Sequence, residues 1–189
     1  MLESDIAISP INITPIRKGK SIETPGKHLN KKIINTISEL LKNMCKANTN
    51  DEINNKNIIS NEKIKLFMLK KIPHISIKEL SKHSKICEST FVYILIYIDR
   101  FCHKYKIDIN YFNVYKLIIA SMVISIKFNE DDFYSSEFYA KLGGISKLEM
   151  NNLQYEFVRM INFNLFVKEE LFYKYYNLLL EDDNGKNNE

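Results

Sequence analysis

Residues 114–127 read VYKLIIASMVISIK. From Leu117 to Ile126 every position is apolar or small. A helix over this stretch has no polar face and must be buried all round. Ser121 and Ser125 lie four residues apart, so they share one side and let a neighbouring backbone come close. The apolar run is far shorter than the roughly 20 residues that cross a bilayer. The stretch is a core helix around which other helices must pack.

Working outward, the chain has no glycine between Gly26 and Gly143, and Pro73 is the only proline after Pro25. Long runs of Leu, Ile, Lys and Glu without breakers favour an all-α fold. Downstream, Asn129–Asp132 reads as an acidic turn that starts the next helix, where negative charge suits the N-terminus. That helix carries Phe133, Tyr134, Phe138, Tyr139 and Leu142 and stops at Gly143-Gly144. Ser146 and Glu149 form a capping box for another helix, with Met150, Leu153, Phe157, Met160 and Ile161 on its inner face. A final amphipathic helix covers Lys168–Leu180, followed by an acidic, Asn-rich tail.

Upstream, Asn113 is expected to cap the core helix, and Ser89 or Glu88 to cap an apolar helix over Thr90–Tyr105. Asp99 follows a run of apolar and aromatic residues in that helix. A carboxylate in such a setting needs a hydrogen-bonding or cationic partner, which makes Asp99 a structural anchor rather than a catalytic group. A weaker helix is expected over Ile75–Ile86, and a short one over Asn61–Lys71 with Ile64, Phe67, Met68 and Ile72 on one side. Before a polar connector at 47–57, a first helix from about Asn30 to Cys45 carries a one-sided stripe of Ile33, Ile34, Ile37, Leu40, Leu41 and Met44. Such a stripe is expected to pack on its own domain rather than on a partner.

With 189 residues, 45% of them hydrophobic, the chain can bury one sizeable core. A net charge of +4 is mildly basic, and no Lys/Arg block with interleaved aromatics points to nucleic acid. Cys45, Cys87 and Cys102 are scattered and odd in number, and no secretory signal opens the sequence. The expectation is an intracellular protein with free thiols, in the nucleus, the cytoplasm or both. Residues 1–28 have no hydrophobic period and read as a flexible basic tail. Within it Ser9-Pro10, Thr14-Pro15-Ile16-Arg17 and Thr24-Pro25-Gly26-Lys27 resemble targets of proline-directed kinases. Ser9, Thr14 and Thr24 are thus candidate phosphosites, where added negative charge changes the contacts of a basic tail.

Taken together, YIDRF at Tyr97–Phe101, NVYKLIIASMVISIKFNEDDFYSSEFYAKLGGIS from Asn113 to Ser146, and EMNNLQYEFVRMINFNL resemble a cyclin box. The Asp-Asp-x-Tyr and Tyr-Ala-Lys-x-Gly-Gly elements are those of the P/U-type, phosphate-signalling cyclins rather than the mitotic types. The resemblance divides the chain into the tail at 1–28, N-terminal helices and connector at 29–72, the box at 73–167, and a C-terminal helix with an acidic tail at 168–189. It implies five helices per box, with residues 114–127 as the third. It also implies a non-catalytic function without cofactor or small-molecule substrate: binding and activating a cyclin-dependent serine/threonine kinase by packing on its regulatory helix.

Carried over by position, Lys127 falls on the interface lysine of the family and Phe128 on the aromatic that follows it. Val158, Phe163 and Leu165 fall on apolar contact positions. Gln154 falls where the family has a glutamate that partners the lysine; it accepts a hydrogen bond but cannot neutralise charge. The arginine that usually pairs with the Asp99 position is replaced by Glu79 or His83, and the first box helix is about a turn short. The Met-Arg-x-x-Leu docking patch is absent. The acidic Glu130, Asp131 and Asp132 are candidates for contact with arginines of a kinase activation segment, against the plainer reading that they stabilise a helix N-terminus.

Two other classes compete with this reading. An enzyme needs a constellation, and His28, His74, His83 and His103 share no ligand spacing, nor is there a Gly-rich phosphate loop. A cyclin-fold adaptor or scaffold, for example in transcription, is the alternative, and Gln154 is its best support. No membrane partner is expected.

Overall fold

The computed structural model describes residues 27–48, 62–68 and 86–181. Seven helices and no strand occur among the described residues, so the fold is all-α: α1 (Lys27–Ala47), α2 (Glu62–Leu66), α3 (Glu88–Tyr105), α4 (Val114–Asn129), α5 (Ser136–Leu142), α6 (Lys147–Met160) and α7 (Glu169–Glu181). The helix expected at 75–86, with Glu79 and His83, lies outside the described residues. So do the phosphosite candidates Ser9, Thr14 and Thr24, most of the 47–57 connector and the acidic tail.

α4 is the centre. Every side chain from Leu117 to Ile126 is buried, as a helix without a polar face requires. It packs against α3 and α6, while α5 packs on α6. α1 and α7 pack on each other and on α3. Burying each large aliphatic side chain is worth about 1.5–3 kcal/mol, so this one helix dominates the core. Phe67, Phe101 and Phe157 join α2, α3 and α6 in an aromatic cluster, with the last two rings stacked at 5.1 Å. Among the described residues, no helix is long and apolar enough to cross a membrane.

The stripe on α1 packs inward: Ile33, Ile37, Leu41 and Cys45 are buried at intervals of four, while Met44 at the stripe's margin is exposed. The helix starts at Lys27, about one turn earlier than expected.

Three helices end alike, each with a residue in the left-handed region and an amide reaching back five residues. Lys106 (φ 49°) ends α3 with Ile107 N–H on the Cys102 carbonyl; Gly144 (φ 62°) ends α5 with Ile145 N–H on that of Ala140; Asn162 (φ 57°) ends α6 with Phe163 N–H on that of Val158. Only the middle one was marked by glycine. Gly143 is needed for space: a Cβ there would stand 1.8 Å from Cδ1 of Ile119, which is itself fully buried.

The helix starts need three corrections. Ser146 caps α6 as expected, accepting from Glu149 N–H at 3.1 Å. Asn113 does not cap α4 with its side chain; its Oδ1 accepts from Asn110 N–H at 2.9 Å and its Nδ2 donates to the Asp108 carbonyl, fastening the preceding turn. Neither Ser89 nor Glu88 caps α3, which already begins at Glu88. The carboxylate of Glu130 does so instead, accepting from Cys87 N–H at 3.1 Å and from the buried Thr90 hydroxyl. Finally, α5 does not start in the acidic turn. It starts at Ser136, with Ser135 Oγ accepting from Phe138 N–H at 3.3 Å, which leaves Asp131, Asp132, Phe133 and Tyr134 exposed in the loop before it.

Candidate functional site

Lys127 stands in the last turn of α4, where a cation complements the helix dipole. Its Nζ donates to Gln154 Oε1 at 2.8 Å and to Ser136 Oγ at 2.7 Å. Gln154 in turn donates through Nε2 to the Met150 carbonyl at 3.1 Å, so its amide orientation is fixed from within α6. One ammonium therefore ties together the end of α4, the start of α5 and the middle of α6. Burial pulls Lys127 down from the ordinary lysine range, so the charge sits partly desolvated. Among the described residues it uses two of its three N–H donors, which leaves one for an incoming acceptor.

Beside this lysine lies an open groove of about 350 Å³. Lys127, Phe128, Gln154, Val158, Phe163 and Leu165, the residues singled out by position, all line it. Ile124 and Tyr155 line it too and were not foreseen. Both follow from helical spacing, one turn before Phe128 on α4 and next to Gln154 on α6. Val158 and Leu165 are half-buried, whereas Phe128 is 53%, Tyr155 63% and Phe163 68% exposed. Single exposed apolar residues are ordinary, but three aromatic rings around one concavity mark a surface built to be covered.

The remaining candidates lie elsewhere. Asp99 Oδ2 accepts from the Tyr175 hydroxyl at 2.7 Å, a bond from α3 to α7. Of the acidic turn, Asp131 and Asp132 are exposed, while Oε1 of Glu130 is taken up by the start of α3. Ser136 carried no signal in the sequence, because its role depends on where α5 begins. The site offers a cation, apolar walls and exposed rings, chemistry suited to an apolar surface that bears a hydrogen-bond acceptor.

A model described as Cyclin matches residues 29–165. The chain belongs to the cyclin family. Among its relatives, this cyclin is 31% identical to Cyclin-U4-1 of Arabidopsis thaliana over 156 residues, covering 80% of this chain and 76% of that one. It is 34% identical to Cyclin-P3-1 of Oryza sativa over 129 residues, covering 64% and 55%. It is 38% identical to the PHO85 cyclin-like protein psl1 of Schizosaccharomyces pombe over 130 residues, covering 65% and 54%, so it spans about half of that relative. These relatives put it among the P/U-type cyclins, as a non-catalytic regulatory protein.

Proposed function

We propose that this cyclin binds and activates a cyclin-dependent serine/threonine kinase, with the groove beside Lys127 packed on the kinase's mobile regulatory helix. The observation that carries this reading is the partly desolvated Lys127 ammonium, fixed by Gln154 and Ser136 at the rim of a groove framed by the exposed Phe128 and Phe163. Its free N–H suits a backbone carbonyl at the end of a helix, and the rings supply the apolar anchors on which binding energy concentrates. The similarity to a PHO85 cyclin-like protein supports a kinase partner of this kind. Holding the regulatory helix inward completes the Lys–Glu ion pair that orients ATP. Activation then follows from differential binding to the active kinase conformation.

Asp131 and Asp132 remain proposed contacts for arginines of the activation segment; Glu130 is less available, since it holds α3. Ser9, Thr14 and Thr24 remain proposed acceptors of phosphate, in a protein acting in the nucleus or cytoplasm. The adaptor reading loses weight, because Gln154 keeps its contact with Lys127 despite lacking the charge of a glutamate.

Co-purification with the cyclin-dependent kinases of the source organism, followed by phosphorylation of a Ser/Thr-Pro peptide, tests the proposal. Lys127→Glu is expected to lower kinase affinity at least tenfold and to abolish activation. Binding without activation would indicate a scaffold, and recovery of no kinase would move the assignment to an adaptor.

A further inference from the structure

Phe163 stands in a conformation that its own chemistry does not favour. Both Asn162 and Phe163 have φ 57°, in the left-handed region. Asparagine visits this region readily, but a bulky aromatic residue there is an outlier that persists only when its surroundings hold it. What holds it is on α3. Tyr97, Arg100 and Lys104 are spaced i, i+3, i+7 and so share one face of that helix. Tyr97 Oη donates to the Leu165 carbonyl at 2.8 Å, Arg100 Nη1 to the Asn164 carbonyl at 2.7 Å, and Lys104 Nζ to the Met160 carbonyl at 2.5 Å. Lys104 also donates to Asn162 Oδ1 at 2.6 Å. As α3 advances, its donors meet carbonyls that step backwards through the segment after α6. They grip that segment on both sides of Phe163.

We infer that this face of α3 is a positioning device, which fixes residues 160–165 so that the Phe163 ring is presented in the groove to the partner. The inference rests on the proposed kinase interface. Phe163 is 68% exposed, so its ring gains little from the protein's own core. The device lowers the ordering cost that a mobile aromatic would bring to binding. Tyr97, Arg100 and Lys104 do not line the groove, and act only through the backbone they hold.

The test uses the full chain and the cyclin-dependent kinase recovered by the wild-type protein. The double variant Tyr97→Phe/Lys104→Met keeps the ring and the aliphatic stem but removes three hydrogen bonds to the segment. It is expected to raise amide hydrogen exchange at 162–166 at least tenfold in the protein alone, and to weaken kinase binding five- to tenfold. Phe163→Gly is expected to weaken binding at least tenfold without lowering the unfolding midpoint, since glycine accepts a positive φ. Combining all three changes should weaken binding no further than Phe163→Gly alone, a coupling that general loop stabilisation would not produce. Leu148→Gln, at an exposed position outside the groove, should change neither readout.

Unchanged exchange at 162–166 in the double variant overturns the inference and leaves the kinase reading standing. So does raised exchange with unaltered kinase affinity. Additive losses in the triple variant overturn it as well. Recovery of no kinase by the wild-type chain overturns the kinase reading, and the inference with it.

Discussion

Gln154 decides how Lys127 behaves. A glutamate in its place would pair with the ammonium as a salt bridge with both partners charged, which is stronger than the present bond to a neutral amide oxygen. The same change would remove the Nε2 donor that reaches the Met150 carbonyl at 3.1 Å and would set a carboxylate near that oxygen. Lys127 is exposed on its solvent side, where Coulomb gains are screened. Gain and loss therefore nearly cancel. Gln154→Glu is expected to change folding stability by less than about 0.5 kcal/mol. It should nonetheless raise the Lys127 pKa, because a nearby carboxylate favours the charged amine and opposes the lowering by burial. An NMR titration of the Lys127 side chain reads this directly. Kinase affinity should stay within about threefold of wild type, since Gln154 already fixes the ammonium in place. At this scale the sequence was informative: the residues carried over by position do converge on one groove. Ser136 was not legible, because its role depends on the turn at which α5 begins.

At the scale of elements, the start of α3 shows where local reading fails. Ser89 and Glu88 are plausible caps by residue type, yet the cap comes from Glu130, 43 residues along the chain. Docking α3 on α4 brings the carboxylate to the first turn of α3, and no local pattern encodes that. Glu130→Ala would leave Cys87 N–H and the fully buried Thr90 hydroxyl without this acceptor. Loss of a cap plus an unsatisfied buried group is expected to cost about 1–3 kcal/mol. Urea denaturation should show the lower midpoint, while Asp131→Asn, on an exposed side chain, should stay within about 0.5 kcal/mol of wild type. The start of α5 failed for a related reason. The acidic cluster suggested a helix N-terminus, but the Ser135 hydroxyl supplies the cap, with the acidic residues left upstream. By contrast, α4 was legible throughout, because a helix without a polar face has only one place to go. The capping box at Ser146 was legible too, since both of its members are local.

On the scale of the whole molecule, α7 is joined to α3 by two acids, the buried Glu88 and the half-buried Asp99. Asp99 was readable as an anchor from its apolar setting, but its partner Tyr175 lies 76 residues away and could not be named. Glu88 was readable only as a candidate cap, not as a buried acid that meets α7. It is 6% exposed; Oε1 accepts from the Tyr176 hydroxyl at 3.0 Å, and Oε2 has no hydrogen-bond partner among the described residues. Burial pushes the Glu88 carboxyl above the ordinary carboxylate value, and the bond from Tyr176 only partly offsets this. Burial, with the same contact adding to it, pushes Tyr176 up to about 12. A raised carboxyl pKa means that the folded state binds more protons than the unfolded state between the two values. Stability from this group therefore falls as pH rises from about 4.5 through the folded pKa, and the penalty is complete above it. Glu88→Gln keeps an acceptor for Tyr176 and removes the charge. It is expected to stabilise the protein by about 1 kcal/mol at pH 7, as relief of a buried charge with one unpaired oxygen should. Near pH 4, where the wild-type carboxyl is already neutral in the fold, the variant should bring no such gain. Thermal unfolding of both proteins from pH 4 to pH 8 measures the difference. Curves that stay parallel over that range would mean that Glu88 is solvated and that α7 does not close over the start of α3.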